Sequence, residues 1–357
     1  MMAPAPSTAP SAVEDEDRRT PAVASRRAEF AELSRRVRER GLLARRGGYY
    51  AVKIPIVVAG LAAVIATVLV VGDSWWSLLA AVGLAFVLAQ IGFLGHDAGH
   101  RQIWARRRAN DTVGLMLTNL LSGFSFGWWL SKHSRHHAHT NSEDRDPDIA
   151  PGALVFTSDQ ARACCRFGRW FAGIQSLMLV PLLFLEALNL HVASVRALAH
   201  RRDRGALVES GLLALHAGIF FVSPFLVLSP LRAVAFIVIS QALFGFYLGA
   251  SFLPNHVGMP TASREDRLGF LRRQVQSSRN LSGSAFVGFL FGGLDSQIEH
   301  HLFPTMPRAN LRRARAVVRD FCVEEEIPYA EQSLRHAYRD VVLHLRAVGS
   351  PGLGSVG

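Results

Sequence analysis

The sequence predicts an all-α membrane protein: four transmembrane helices in two hairpins, with interfacial helices and a cytoplasmic helical cap. Half of the 357 residues are hydrophobic. They are concentrated in runs of about 20 apolar residues, which is the length that crosses a bilayer. Clusters of arginine flank these runs, as is typical of loops that remain in the cytoplasm.

Three regions are predicted along the chain. Residues 1–45 are expected to form a disordered, basic N-terminal tail, because the first 25 are rich in Ala, Pro and Ser and lack the apolar core of a signal peptide. A membrane domain is predicted over residues 46–305. Residues 306–357 are expected to form a C-terminal cytoplasmic helical tail that wraps the cap.

The four predicted spans form two hairpins. The first joins residues 50–71 to 75–95 through the short turn GDS, and the second joins 207–228 to 233–253 through LSPLR. Both turns carry little charge, which is typical of loops on the outer face. Trp128 and Trp129 are interpreted as anchors at the membrane interface, where indole rings prefer to lie.

A fifth apolar segment, residues 168–190, is predicted to be interfacial or re-entrant. Both of its flanks are rich in arginine, so both are expected on the cytoplasmic side. The same interpretation applies to residues 111–130. Four crossings then place every histidine cluster and both termini of this multi-pass membrane protein in the cytoplasm.

The formal charge of +11 indicates a lipid surface rather than nucleic acid. Every basic cluster flanks an apolar run, so anionic lipid or a phosphate-bearing substrate is the expected partner. The three cysteines have no spacing typical of zinc or of a redox pair.

Histidines are the most informative residues of the chain. Nine of the fourteen lie in four short segments: His96 and His100 in HDAGH; His133, His136, His137 and His139 in HSRHHAHTN; His256 in PNHVG; His300 and His301 in QIEHH. Residues three or four apart share one face of a helix. Imidazoles that converge at the ends of apolar helices indicate a metal centre in the cytoplasmic cap.

Eight of these histidines are predicted metal ligands: His96, His100, His133, His136, His137, His256, His300 and His301. Neutral imidazole suits iron, zinc and copper, and eight ligands exceed the needs of one metal but fit two. Two iron ions in a site open to O2 could accept two electrons and attack an unactivated C–H bond. His139 lies outside the helical triple and is not an expected ligand.

Polar neighbours are expected to support the ligands. Asp97 and Glu299 could orient imidazoles, as carboxylates beside metal sites do. Gln297 could bind metal through its carbonyl oxygen, hold a water or only pack, and Asn255 is a further candidate.

Other polar residues are given structural roles. Asp146 and Asp148 are expected to shape the loop that follows the second cluster. His191, His200 and His216 have no partner at ligand spacing and are interpreted as structural.

Three motifs resemble the histidine boxes of the integral-membrane fatty acid desaturases: HDAGH, KHSRHHAHTN followed by DPD, and QIEHHLFP. The resemblance covers about residues 40–330. Gln297, in place of the first histidine of the third box, is similar to the front-end and acyl-lipid branch, and His256 resembles that family's additional ligand. The resemblance implies two irons, O2 as co-substrate, and removal of two hydrogens from a fatty acyl lipid or acyl-thioester.

The sequence departs from that family in two respects. It has no HPGG signature of a fused haem domain, so the resemblance implies a separate electron donor: a ferredoxin, a flavodoxin or a reductase. Ser134 and Asp295 stand where the branch often has asparagine, which affects local hydrogen bonds. Two alternatives stay open: a hydroxylase or ketolase acting on a sphingolipid, alkane or carotenoid, and a non-catalytic metal-binding or transport protein.

Overall fold

Helices dominate the computed structural model, which describes residues 21–262 and 268–350. The N-terminal half contains α1 (Pro21–Glu39), α2 (Gly47–Val71), α3 (Ser77–Gly99), α4 (Arg107–Leu115), α5 (Phe126–Ala138), α6 (Ser158–Ala163), α7 (Arg166–Phe184) and α8 (Glu186–Ala199). The C-terminal half contains α9 (Arg204–Ala217), α10 (Pro224–Val227), α11 (Pro230–His256), α12 (Phe270–Gln276), α13 (Ala285–Leu290), α14 (Gln297–Leu302), α15 (Arg308–Glu324) and α16 (Leu334–Gly349). The predicted helical class is confirmed.

Short irregular elements complete the fold. The three-residue strands β1 (Asn280–Ser282) and β2 (Glu331–Ser333) pair in parallel. The π-helical turns Met116–Ser122 and Gly218–Val222 extend α4 and α9. A 3-10 turn, Leu294–Ser296, leads directly into α14.

Five helical segments are long and apolar enough to cross a membrane: α2, α3, α7, α11 and the segment Arg204–Val227 that joins α9 to α10. The four predicted spans are among them. The fifth is α7, which the sequence predicts to be interfacial. A sixth candidate, formed by Arg107–Ser122 and α5, is bent by 109°.

The membrane part is built around α3, which is the most buried of the candidate spans. Small residues such as Ala81, Ala85 and Ala89 are buried along it, and small side chains allow neighbouring helices to approach closely. Leu248 of α11 lies beside Gly92 of α3. This close contact brings the ends of α3 and α11, with their histidines, to the same level.

Part of the stretch predicted to be a disordered tail is helical. α1 buries Leu33 and Val37 completely, and the ring of Phe30 lies 4.9 Å from Phe270 and 5.7 Å from Phe303. These three α1 side chains share one face at helical spacing, so burial of apolar surface stabilises the helix despite its many arginines. Residues 1–20 of the predicted tail lie outside the described residues.

The C-terminal helix α16 packs against α7. Leu345 and Val341 of α16 form a buried cluster with Leu179 of α7 and Val257. The side-chain amide of Gln175 in α7 donates to the backbone carbonyl of Leu345 at 3.0 Å. α7 is therefore in direct contact with a helix of the polar cap.

Candidate metal centre

Four helices bring the eight predicted histidines together. His96 lies in the last turn of α3, and His100 caps that helix. α5 carries the second cluster and α14 the third. His256 is the last residue of α11. The i, i+3 and i+4 spacing of His96 with His100 and within the second cluster explains why the sequence pattern could predict these residues.

Seven of these histidines form two groups. One ring nitrogen from each of His96, His100, His133 and His300 lies within 4.8 Å of the others in the first group. His136, His256 and His301 form the second group under the same limit. Groups of three or four imidazoles at this separation are suited to one metal ion each.

The remaining histidine, His137, lies between the two groups. Its ring centre is 4.6 Å from that of His100 and 4.8 Å from that of His300, both in the first group. It is also 4.2 Å from the ring centre of His301 in the second group. All eight imidazoles therefore belong to one continuous centre.

Buried nitrogens without hydrogen bonds show that the centre fits bound cations. Within the described ranges, Nε2 of His96, His300 and His301 is buried and has no hydrogen-bond partner. Nε2 of His100 and Nε2 of His133 face each other at 2.9 Å. Burial lowers the pKa of His300 and of His301 well below its ordinary value, which favours the neutral imidazole that binds metals.

Asp146 holds one of the predicted ligands. Its carboxylate oxygens lie 2.9 and 3.0 Å from Nδ1 of His136, and the two residues form a further compact group with Asp148. The carboxylate also accepts backbone N–H bonds from Asn141 (2.8 Å) and Asp148 (2.9 Å). The predicted loop-shaping role is therefore incomplete, because Asp146 also orients His136 with Nε2 toward the centre.

Two further ligands are oriented by groups that sequence reasoning missed. Nδ1 of His256 lies 3.0 Å from the backbone carbonyl of Ser277. Nδ1 of His301 lies 3.0 Å from Oε1 of Gln274 and 3.1 Å from the hydroxyl of Thr140. No local periodicity links these residues to the histidine clusters, so the sequence offered no signal for them.

Trp129 forms one wall of the centre. Its ring stacks on His133 with ring centres 4.6 Å apart and lies 5.6 Å from His96. The sequence interpretation as an interface anchor did not foresee this contact.

Asp97 forms an ion pair with Arg308. It lies 2.8 Å from the guanidinium of Arg308 and accepts a hydrogen bond from Tyr50 at 3.1 Å. Its nearest approach to Nδ1 of His96 is 3.7 Å, longer than a hydrogen bond. Asp97 therefore fixes α15 to α3, and its expected role in orienting an imidazole stays a prediction.

The hydrogen bonds of Glu299 join it to two other parts of the fold. Its carboxylate accepts from Asn280 at 2.8 Å and from the hydroxyl of Tyr329 at 2.9 Å. Burial raises the pKa of Glu299 to about 7, although both hydrogen bonds act to lower it. Glu299 thus joins α14 to β1 and to the segment before β2, and its expected role in orienting an imidazole also stays a prediction.

Gln297 contacts one histidine of the centre, and Asn255 contacts Gln297. The side-chain amide of Gln297 lies 2.9 Å from Nε2 of His256, and its oxygen accepts from Asn255 at 3.3 Å. His139 caps the end of α5 and is in neither group. His191 and His216 lie outside both groups: their ring centres are 5.5 Å apart, and Nδ1 of His216 lies 2.9 Å from the backbone carbonyl of Leu120.

The sequence of this chain matches a known protein family. The family model described as fatty acid desaturase matches residues 73–333, which include all eight histidines.

Curated relatives cover most of this chain. It is 34% identical over 269 residues to the Delta(6)-fatty-acid desaturase fat-3 of Caenorhabditis elegans, covering 71% of this chain and 60% of that protein. It is 28% identical to the Delta(8)-fatty-acid desaturase of Helianthus annuus, covering 87% and 70% of the two chains. Identity to the Acyl-lipid (9-3)-desaturase of Physcomitrium patens is 32%, covering 84% and 58%. The matched region thus spans about 60% of the length of two of these three relatives.

Proposed function

Because this chain belongs to the fatty acid desaturase family, we propose that it introduces a C=C double bond into a long acyl chain, consuming O2 and two external electrons. The observation that carries the proposal is the convergence of eight histidines from four helices, seven of them in two compact groups and His137 between the groups. The substrate is a fatty acyl lipid or an acyl-thioester. Similarity to proteins named as delta-6, delta-8 and acyl-lipid desaturases supports desaturation, and nothing in the described residues favours the hydroxylase or ketolase alternative.

Two iron ions are the proposed cofactors. The first group of imidazoles would hold one ion, the second group the other, and His137 lies where it could reach either. When bound, two irons would supply the reduction of O2 and the abstraction of hydrogen from adjacent methylenes. The unpartnered buried ring nitrogens support this assignment.

The protein's own residues would preorganise the centre. Asp146, the carbonyl of Ser277 and Gln274 each fix one imidazole through Nδ1, so that Nε2 faces inward. His300 and His301 are almost completely buried, which excludes bulk water from the reacting chain. Gln297 would position His256 or contribute its own oxygen.

The proposed topology has four spans, α2, α3, the Arg204–Val227 segment and α11, with α7 and α8 as an interfacial hairpin. The contact of α7 with α16 supports it, because no candidate span separates α16 from α14. The turn between α7 and α8 lies against Gly245 and Gly249 of α11. Gly245 is eleven residues from His256, about 16 Å along the helix, so the hairpin reaches only about half of the bilayer depth. The metal centre and both termini are then cytoplasmic.

Electrons would arrive from the cytoplasmic side, and a separate ferredoxin, flavodoxin or reductase is the expected donor. Reconstitution of the purified chain with each donor class would identify it, with acyl product as the readout.

Product analysis tests the proposed function. The full chain is expressed in a host supplied with candidate fatty acids, and membrane acyl chains are analysed as methyl esters by gas chromatography and mass spectrometry. A new double bond is expected, and the His133→Ala variant should yield none. A hydroxylated or oxo product, or an unchanged lipid profile with iron bound and a donor present, would overturn the proposal.

A further inference from the structure

Lys53 places a positive charge inside a candidate membrane span without a carboxylate partner. Its ammonium donates to Oε1 of Gln90 at 2.9 Å and lies 4.2 Å from the centre of the Phe289 ring. Lys132, the only other lysine of the chain, pairs with Asp148 at 2.5 Å. No carboxylate oxygen of the described residues lies within 4.0 Å of Nζ of Lys53.

Burial makes this unpaired charge unusual. Lys53 is only 9% exposed, so its side chain is covered by protein and does not extend freely to the membrane surface. Ionised groups in spans are costly and mark ligand sites more often than packing positions. The missing counter-charge points to an anionic ligand.

Two further polar groups converge with Lys53. Nε2 of Gln90, in α3, donates to the hydroxyl of Tyr247 at 3.1 Å. That hydroxyl, from α11, donates to the backbone carbonyl of Leu290 at 2.7 Å. An ammonium, an amide and a phenol from three different candidate spans therefore meet in one place. The amide and the phenol donate to protein oxygens here, whereas the ammonium can donate three hydrogen bonds and donates one, to Gln90, within the described residues.

The short helix α13 covers this cluster: the ring of Phe289 lies over the ammonium of Lys53, and the carbonyls of Phe289 and Leu290 accept hydrogen bonds from Gln90 and Tyr247. None of its residues is buried, and Phe286 is 65% exposed. The segment ends at Gly292 and Gly293, whose φ values of +61° and +84° are readily adopted only by glycine. Displacement of the Phe289 and Leu290 carbonyls would free the amide of Gln90 and the hydroxyl of Tyr247 to donate to an anion that entered beneath α13.

The depth of the cluster suits a lipid headgroup. Lys53 is six residues, or about 9 Å, from the start of α2, which the proposed topology places at the cytoplasmic boundary. Gln90 precedes His96 by six residues on α3, again about 9 Å along the axis. An anion bound here would hold the front part of an acyl chain near the metal centre.

We propose that Lys53, Gln90 and Tyr247 form a binding site for the anionic headgroup of the acyl substrate, either a phosphate or a carboxylate, beneath α13. The inference rests on the proposed function and adds to it the group by which the substrate is held.

Direct binding tests the site without requiring turnover. The full chain is purified in neutral detergent, and dissociation constants are measured for radiolabelled oleate, oleoyl lysophosphatidate and uncharged methyl oleate. The wild-type protein should prefer at least one anionic probe to methyl oleate by about tenfold. The preferred anion identifies carboxylate or phosphate as the natural group.

Matched variants show which residues cause the preference for an anionic probe. Lys53→Met should abolish it and leave methyl oleate binding unchanged, whereas Lys53→Arg should retain it. Arg107→Gln, which removes one charge from an exposed side chain, should behave as wild type. Tyr247→Phe removes only a hydroxyl and should weaken binding of the preferred anion by about threefold, which provides a second test if Lys53→Met does not fold.

Two outcomes would overturn the proposal: equal affinity for charged and uncharged probes in the wild type, or a preference that survives in Lys53→Met. Failure of the proposed desaturation is a separate result, since it would appear in product analysis while Lys53-dependent anion binding persisted.

Discussion

Replacing Asp146 with asparagine should weaken iron binding by about 10- to 100-fold, the usual cost of losing a carboxylate that supports a metal-bound histidine. Asp146 receives three hydrogen bonds, from Nδ1 of His136 and from the backbone N–H groups of Asn141 and Asp148. Asparagine has one side-chain oxygen and no charge, so it cannot satisfy all three donors. The expected loss corresponds to about 1.4–2.7 kcal/mol.

Competition with a calibrated chelator measures this loss. Purified, iron-loaded wild-type and Asp146→Asn proteins are titrated with the chelator, and the iron that stays bound is determined by inductively coupled plasma mass spectrometry. Asp159→Asn is the matched control, because Asp159 is exposed and pairs only with Arg162 in the described contacts; this variant should retain wild-type affinity.

A structural contribution of Asp146 can be separated from its effect on iron. Thermal unfolding of the metal-free proteins reports on the loop alone. Wild-type iron affinity in Asp146→Asn, together with a lowered unfolding temperature, would show that Asp146 only shapes the loop, as the sequence suggested.

Further substitutions test the centre and its supporting scaffold. Alanine at any member of the second-cluster triple should abolish product while the protein stays in the membrane, because apolar burial holds the fold; the triple is His133, His136 and His137. His139→Ala should keep most activity, and equal loss there would mean that the ligand set is wrong. Glu209→Gln should destabilise the fold by about 1–3 kcal/mol, because this buried carboxylate accepts from Ser125, Gly127 and Arg201. Unfolding in detergent would measure the change, and unaltered stability would refute the assigned role.

Local spacing explains what the sequence could predict. His133, His136 and His137 lie on one helix face, so their convergence with the other clusters followed from periodicity and from the lengths of the apolar runs. The pairing of Asp146 with His136 spans ten residues across a loop, and Gln274 reaches His301 from another helix. Such contacts depend on tertiary packing, which cannot be read from the periodicity of one sequence.

The N-terminal helix α1 is a further feature that the sequence did not predict. The Ala-, Pro- and Ser-rich composition of the first 25 residues led to the prediction of a disordered, basic tail, although Phe30, Leu33 and Val37 form an apolar stripe. Such a stripe stabilises a helix only when it packs against another apolar surface, and here α12 and Phe303 provide that surface. The prediction therefore gave more weight to the composition of the N-terminal stretch than to the helical spacing of its apolar residues. Burial of those residues against the rest of the fold stabilises α1 as a helix.

The path of α7 and α8 decides whether a shared centre is compatible with a membrane. If α7 crossed the bilayer alone, α9 would begin on the outer side and α11 would end there. His256 would then be separated from His136 by a hydrophobic thickness of roughly 30 Å, whereas ligand nitrogens of these two residues lie within 4.8 Å. An even number of crossings between α3 and α9 is therefore required.

Cysteine labelling with a membrane-impermeant maleimide tests this parity. Cys165 is naturally exposed at the start of α7, and Cys322 is buried and should stay unreactive. His200→Cys, made in a background with Cys164 and Cys165 replaced by serine, reports on the end of α8. Both sites should react in inside-out vesicles and neither in intact cells, because both flanks are proposed to be cytoplasmic. Reaction of the two sites from opposite faces would refute the four-span topology and, with it, the shared di-iron centre.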